Sequence, residues 1–155
     1  LAWAIATFAT GKPPIPESVA AMVGCRVADV LAVALAAIDR GPVRAARQMA
    51  LAHPRLRGAK VFGFDFGVHA EWAAWANGVA VRELDWNDTF LAADFAHPSD
   101  CIAPLLAVAQ QCGRGGEDLV RAIAVAYEVH VALVKAIDLH AHKIDHVAHL
   151  APCWD

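Results

Sequence analysis

The sequence predicts an all-α domain, and three observations indicate this fold class. Alanine, the strongest helix former, accounts for 35 of the 155 residues. Glycine and proline divide the chain into segments whose composition and periodicity are helical. Hydrophobic residues make up 58% of the chain, against about 45–50% in ordinary soluble domains. We therefore expect closely packed helices, with more apolar surface than the chain covers without a partner, a dimer or a further domain.

The breakers in the sequence set the expected helix bounds. Pro16 favours the first turn of the second helix, Gly41-Pro42 is expected to end that helix, and His53-Pro54 ends the third. Gly113 ends the fifth helix before the last one begins. Six helices are predicted, with approximate bounds 1–10, 16–39, 43–52, 68–84, 100–111 and 117–139.

Two of these helices have a distinctive pattern. The second is apolar around nearly its whole circumference, which predicts a central, buried position. The fourth places Trp72, Trp75 and Val79 on one face at the i, i+3, i+7 spacing. The glycine-punctuated segment Lys60–Phe66 is interpreted as an extended loop or a short strand, the strand being the weaker alternative.

Neither a membrane span nor an export signal is expected. The window from Val19 to Ile38 is long enough to cross a bilayer, but Arg26 and Asp29 lie near its middle. Each such charge costs about 2.5–3.5 kcal/mol at a bilayer centre. The first ten residues lack a basic segment and a clear cleavage site. The four cysteines form no C-x-x-C pair, which favours reduced thiols and a cytoplasmic protein.

Composition and motifs also exclude several function classes. A pI near 6.2 without a basic run gives no electrostatic reason to expect nucleic acid as a partner. The sequence contains no Walker loop, dinucleotide glycine fingerprint, G-x-S-x-G elbow or H-E-x-x-H pair. Nucleotide-driven chemistry is therefore disfavoured.

The first candidate site is a histidine-rich run near the end of the chain, HAHKIDHVAH. It contains His140, His142, His146 and His149, with Asp145 beside the third. Three interpretations stay open: a metal site, because an i, i+4 pair can share a helix face; one catalytic or anion-binding histidine; or surface residues without a function. The single functional histidine is favoured over the metal site.

The second candidate site is the segment ELDWNDTFLAADFAHPSD. Asp85, Asp88 and Asp94 lie among aromatic and aliphatic residues that are expected to bury them, which is costly for unpaired carboxylates. An aspartate with a nearby histidine can act as an acid–base pair, and the Thr89 hydroxyl can bind a substrate oxygen. The alternative is helix capping, with Asp85 or Asp88 at a helix end and Ser99 beginning the next helix.

Three blocks together resemble the MmgE/PrpD family: WANGVAVRELDWNDTFLAADFAHPSD, LVRAIAVAYEVH and KIDHVAH. The resemblance extends from about Ala20 to Leu150. It implies the N-terminal part of a large helical domain over residues 1–155, without the family's α/β lid domain. It also implies a metal-independent lyase that removes water from a tricarboxylate, converting 2-methylcitrate to 2-methyl-cis-aconitate in propionate catabolism through the methylcitrate cycle. A decarboxylase acting on cis-aconitate is the alternative within the family.

The same resemblance implies roles for individual residues. Asp85, His97 and His146 correspond to catalytic positions, whereas Thr89 and Asp88 are assigned to substrate binding. It further implies a homodimer, no cofactor, and more catalytic residues after Asp155. The chain alone is therefore expected to be inactive.

Two function classes outside this family stay open. One is a zinc-dependent hydrolase or zinc-binding protein built on the His140–His149 run. The other is a non-catalytic, truncated paralogue that only associates with other chains.

Overall fold

The fold consists of helices joined by short connections and two small β-hairpins. The computed structural model describes residues 1–92 and 95–137. Within these residues the helices are α1 (Ala2–Thr10), α2 (Glu17–Ala36), α3 (Gly41–Leu51), α4 (Ala70–Arg82), α5 (Ile102–Gln111) and α6 (Gly116–Ala136). The strands are β1 (Pro54–Lys60), β2 (Gly67–Val68), β3 (Phe90–Leu91) and β4 (Phe95–Ala96), and a 3-10 turn covers Pro98–Cys101. The prediction of an all-α domain of this family type is confirmed.

Helix ends follow from local sequence, with one correction. Gly41-Pro42 does not end α2, which stops at Ala36; the pair begins α3, with proline in the first turn. A proline there gives up an N–H that has no partner within the helix, so this is a favourable position. At α6, acidic residues lie in the first turn and Lys135 in the last, where each complements the helix dipole.

The favoured interpretation of Lys60–Phe66 as an extended loop is confirmed for most of the segment, and the strand lies just before it. Pro54–Lys60 forms the antiparallel strand β1, which pairs with β2, and most of Lys60–Phe66 is the connection between them. Buried Asn77 on α4 holds this connection. Its side chain accepts from Phe62 N at 2.9 Å and donates to Lys60 O at 3.0 Å. The hairpin therefore depends on Asn77, a residue that follows it in the chain. The sequence of the hairpin itself does not reveal this contact.

Helix α4 lies between the two parts of the core. One part joins α2, α4, α5 and α6 through buried aliphatic residues such as Val30, Val81 and Ile123. The other lies between α3, the first hairpin, α4 and α5, and consists mostly of alanine, including Ala73 and Ala107. Small side chains let these helices approach closely, as the alanine content predicts.

Helix α2 is not buried on all sides, contrary to expectation. Its buried residues are Val23, Val30, Val33 and Ala34, whereas Met22 is 53% and Leu35 is 70% exposed. Within the described residues, α4 and α6 cover only one side of it. By length and composition α2 could cross a membrane, a criterion that core helices of soluble proteins also meet.

Two glycine-to-alanine substitutions test the packing of the first hairpin. A Cβ on Gly58 would lie 2.1 Å from the Val68 carbonyl oxygen, a backbone atom that cannot move without breaking the hairpin. We expect Gly58→Ala to lower the free energy of unfolding by about 1–3 kcal/mol. In the control Gly78→Ala, within α4, the new Cβ meets nothing within 4 Å. That variant should be neutral or gain up to about 1 kcal/mol from helix propensity. Chemical denaturation measures both values, and equal stabilities would contradict this packing.

Candidate active site

The candidate site lies where the chain leaves α4 and returns to α5. Asp85 follows the end of α4 with a φ of +54°, in the left-handed region. Its N–H bonds to Arg82 O at 3.1 Å, which turns the chain sharply away from the helix. The hairpin of β3 and β4 then brings Thr89, just before β3, close to His97, just after β4.

His97 is the most enclosed of the predicted site residues that the structure describes, with 8% of its surface exposed. Its Nδ1 lies 2.8 Å from the backbone oxygen of Asp88. A carbonyl oxygen can only accept, so Nδ1 carries the proton and donates it in this bond. In the neutral imidazole the lone pair is therefore on Nε2. The hydroxyl of Thr89 lies 3.4 Å from Nδ1, beside the same ring.

Asp85 places a carboxylate on the other side of the imidazole. Its Oδ1 is 3.9 Å from His97 Nε2 and 2.9 Å from Arg82 Nη1, and 70% of its side chain is exposed. The carboxylate is thus ion-paired with the Arg82 guanidinium. An imidazolium formed at His97 would in turn be stabilised by this negative charge.

Asp88 differs from Asp85 in that its carboxylate is directed into the protein. Oδ1 accepts the backbone N–H of Ser99 at 3.0 Å, and Oδ2 accepts the hydroxyl of Tyr127 at 2.9 Å. The guanidinium of Arg26 lies 3.9 Å from Oδ2, and only 9% of the Asp88 side chain is exposed. This carboxylate is thus buried together with its hydrogen-bond partners.

A second set of contacts joins Asn87 to the same turn. Its Nδ2 donates to Ser99 Oγ at 3.0 Å and to Asp100 Oδ1 at 2.9 Å, while its Oδ1 accepts from Arg82 at 2.7 Å. Burial raises the pKa of Asp100, although the charge of Arg82 acts in the opposite direction. Asn87 therefore links the end of α4 to the start of α5.

The structure brings four of the five predicted site residues together. Asp85 lies beside Nε2 of His97, whereas the Thr89 hydroxyl and the Asp88 backbone oxygen lie beside Nδ1. His146 lies outside the described residues, as do Asp94 and the rest of the histidine run. The catalytic and substrate-binding roles stay predictions, since contacts do not by themselves demonstrate a role.

The expectation that aromatic and aliphatic neighbours bury this segment is wrong for Asp85, whose side chain is 70% exposed, whereas Asp88 is buried. Trp86 is 69% and Leu91 is 75% exposed. The capping alternative is correct in part. Asp88 caps a backbone N–H of the 3-10 turn from outside, whereas the Ser99 side chain makes no cap bond and receives Asn87 instead.

Sequence reasoning missed several residues that shape the site. Arg82, Asn87 and Asp100 lie in or near the recognised motif, but nothing in the motif distinguishes them as partners of one another. Tyr127 is 39 residues from Asp88 in the chain. It is the only tyrosine in the sequence, and that rarity on a helix was the one available signal.

The metal alternative receives no test from this part of the chain. Among the described residues no group of three histidine, cysteine or acidic side chains is placed to hold an ion. The proposed zinc ligands lie in the His140–His149 run, outside those residues.

A helical domain with a histidine and an aspartate at a hairpin fits the class suggested by the sequence. A sequence model of the MmgE/PrpD N-terminal domain matches residues 1–153. The chain therefore belongs to the MmgE/PrpD family.

Curated relatives share part of the chain at modest identity. Over 82 residues it is 35% identical to 2-methylcitrate dehydratase of Escherichia coli (strain K12) and 37% identical to that of Cupriavidus necator. Over 103 residues it is 30% identical to a probable 2-methylcitrate dehydratase of Saccharomyces cerevisiae. These matches cover 53–58% of this chain but only 17–20% of the relatives' length.

The buried carboxyl of Asp100 predicts how stability depends on pH. Because burial raises its pKa in the folded protein, the folded state keeps the proton at pH values where the unfolded chain has lost it. The contribution of Asp100 to the free energy of unfolding therefore falls as the pH rises above the ordinary aspartate pKa of about 3.9. Relative to wild type, Asp100→Asn should become progressively more stable as the pH rises above about 4, until the carboxyl of the folded protein has ionised as well. Asp29→Asn, on the exposed side of α2, controls for the loss of one negative charge. Denaturation at several pH values measures the difference, and a gap that shrinks with pH would contradict it.

Proposed function

We propose that the full-length protein to which this chain belongs is a hydro-lyase that dehydrates 2-methylcitrate or a close tricarboxylate. The product would be the conjugated enoate, 2-methyl-cis-aconitate, and the reaction would serve propionate catabolism through the methylcitrate cycle. Membership of the family and the names of the relatives support this class of reaction. The observation that carries the proposal is His97, with Nδ1 bonded to Asp88 O and Nε2 beside Asp85.

The reaction needs a base, a proton donor and partners for a highly charged substrate. The base removes a proton from a carbon next to a carboxylate, and the electron pair of that C–H bond becomes the new double bond as the β-hydroxyl leaves. The hydroxyl takes up a proton and departs as water, so no electrons are gained or lost. A positioned base or acid typically contributes about 10²–10⁴-fold to such a rate.

His97 is our candidate for the base. Its Nδ1 proton is engaged by the Asp88 carbonyl, so Nε2 has the free lone pair that accepts the substrate proton. The imidazolium that forms would be stabilised by Asp85. His146, which the family resemblance also marks as catalytic, is the other histidine that could take either role.

Asp85 fits a partner of the histidine better than a proton donor. Its Oδ1 is paired with Arg82 Nη1 at 2.9 Å and lies 3.9 Å from His97 Nε2, a position suited to balancing the charge of an imidazolium. The leaving hydroxyl would then be protonated by another group, and Thr89 at the rim could bind a substrate oxygen. Asp88 is less suited to contact a substrate, because both oxygens already have protein partners.

We further infer a soluble, cytoplasmic homodimer that needs no cofactor and acts on a small tricarboxylate. The exposed apolar side chains of α2, such as Met22 and Leu35, support a partner surface on this helix. The balanced charge, -3 for the whole chain, agrees with a small-molecule substrate better than with nucleic acid.

The function is tested by assaying the full-length protein with 2-methylcitrate. We expect the ultraviolet absorbance of the conjugated product to appear, and to appear equally after treatment with a chelator. Citrate and cis-aconitate serve as comparison substrates. Carbon dioxide release from cis-aconitate would favour the decarboxylase. Activity that is lost with the chelator and restored by zinc would contradict a metal-independent reaction and favour the zinc alternative.

Histidine substitutions in the same assay test the site assignment. His97→Gln and His146→Gln should each lower kcat by about 10²–10⁴-fold, because each removes a group that moves a proton. His53→Gln and His149→Gln are matched controls and should keep most of the activity. In the described structure His53 stacks on Trp72, away from this site. Equal losses at His146 and His149 would indicate a shared metal, and full activity of His97→Gln would reject our candidate base.

A further inference from the structure

Asp88 engages three hydrogen-bond donors that converge on the turn carrying His97. Its backbone oxygen lies 2.8 Å from His97 Nδ1, and its Oδ1 lies 3.0 Å from the backbone nitrogen of Ser99. One residue therefore holds both the imidazole and the main chain two residues further on. The orientation of Asp88 consequently determines where the imidazole lies and which of its nitrogens carries the proton.

Tyr127 fixes that orientation from the opposite side. Its hydroxyl donates to Asp88 Oδ2 at 2.9 Å from the middle of α6. Burial raises the pKa of Tyr127, and the Asp88 carboxylate adds to the rise, so the phenol stays protonated and remains a donor. Arg26 on α2 is a weaker partner, because it lies 3.9 Å away and is 41% exposed.

We propose that Tyr127 is a positioning residue for His97, acting through Asp88. The Tyr127 hydroxyl orients the Asp88 carboxylate, and the bond between that carboxylate and Ser99 N holds the turn of His97 in place. In this position Nδ1 meets the Asp88 carbonyl and Nε2 lies beside Asp85. This inference rests on the proposed function only in treating His97 as the reacting base. Its core statement, that Tyr127 sets the tautomer of His97, needs no substrate.

Loss of the Tyr127 hydroxyl should change the environment of the imidazole, because in the described part of the chain Oδ2 of Asp88 has only one other nearby partner, Arg26 at 3.9 Å. A buried acceptor left without its donor carries a penalty, so the carboxylate would turn toward Arg26 or solvent. That rotation moves Oδ1 away from Ser99 N, so the turn that carries His97 loses its bond to Asp88 and the imidazole shifts relative to the Asp88 carbonyl. The other charged groups facing the imidazole, Asp85 and Asp100, would then compete for its protons.

The tautomer is measured by nitrogen NMR on the full-length protein labelled with ¹⁵N-histidine. The His97 signals are assigned by their loss in His97→Gln. In wild type at neutral pH we expect the Nδ1–H form of His97, whereas Tyr127→Phe should show a mixture of the two forms. In the same variant kcat should fall by about 10- to 100-fold, the size of effect that misplacement of a reacting group produces. KM should stay within about twofold, because Tyr127 does not bind the substrate in this arrangement.

Asn77→Ala separates positioning from general loss of stability. It removes a buried side chain with two hydrogen bonds, but on the side of α4 that holds the first hairpin. We expect it to be less stable than wild type while keeping the Nδ1–H form of His97. A similar tautomer change in Asn77→Ala would mean that any loosening of the fold reaches His97, and would overturn the specific role of Tyr127.

The remaining outcomes are distinguishable. Tyr127→Phe with an unchanged tautomer, or with an unchanged kcat, overturns the proposal. Wild-type His97 in the Nε2–H form overturns it without any variant, even where Tyr127→Phe does not fold. A tautomer change in a protein that does not dehydrate tricarboxylates rejects the proposed function and leaves the positioning by Tyr127 in place.

Discussion

The site depends on one buried carboxylate, that of Asp88. The carboxylate oxygens of Asp88 accept from Ser99 N and the Tyr127 hydroxyl, and its backbone oxygen accepts from His97 Nδ1. Parts of the chain that are distant in sequence therefore meet at one residue. A buried carboxylate is stable only where donors replace the water it has lost. Here the donors to the carboxylate are the backbone N–H of Ser99 and the phenol of Tyr127, with a guanidinium nearby. The bond to Ser99 N also holds the turn that carries the candidate base, whose Nδ1 bonds the backbone oxygen of Asp88.

The charges around His97 divide into a buried set and an exposed set. Asp88 and Asp100 are enclosed and bonded to neighbours, whereas Asp85 faces solvent beside the imidazole. Arg82 contacts the exposed Asp85 and donates to the side-chain oxygen of Asn87. It also lies near the carboxylate of Asp100. Through these contacts Arg82 offsets part of their negative charge.

The helices could be predicted from local sequence because their signals are local. Alanine content, prolines and glycines located all six within a few residues, and the family motif identified Asp85, Thr89 and His97 as neighbours. What could not be predicted depends on contacts between distant residues. Gly41-Pro42 predicts the end of α2 but in fact begins α3. A glycine–proline pair interrupts a helix without indicating which of the two adjoining helices contains it. The exposure of Trp86 and Leu91 was missed because apolar character alone does not show which neighbours cover a side chain.

Tyr127 shows where such reasoning stops and what the structure adds. In the sequence it is one apolar-looking position of a long helix. Its helix-face neighbours Ile123, Ala124 and Val131 are aliphatic, so the pattern assigns it to the core. Most of the ring is indeed packed, but the hydroxyl reaches past the aliphatic layer to Asp88. A phenylalanine would pack equally well and would leave a carboxylate oxygen without its donor. The hydroxyl oxygen of Tyr127 is therefore the atom that links the packed core to Asp88 and, in our proposal, to the tautomer of His97. The position of α6 in the core thus determines where this hydroxyl lies relative to the hairpin.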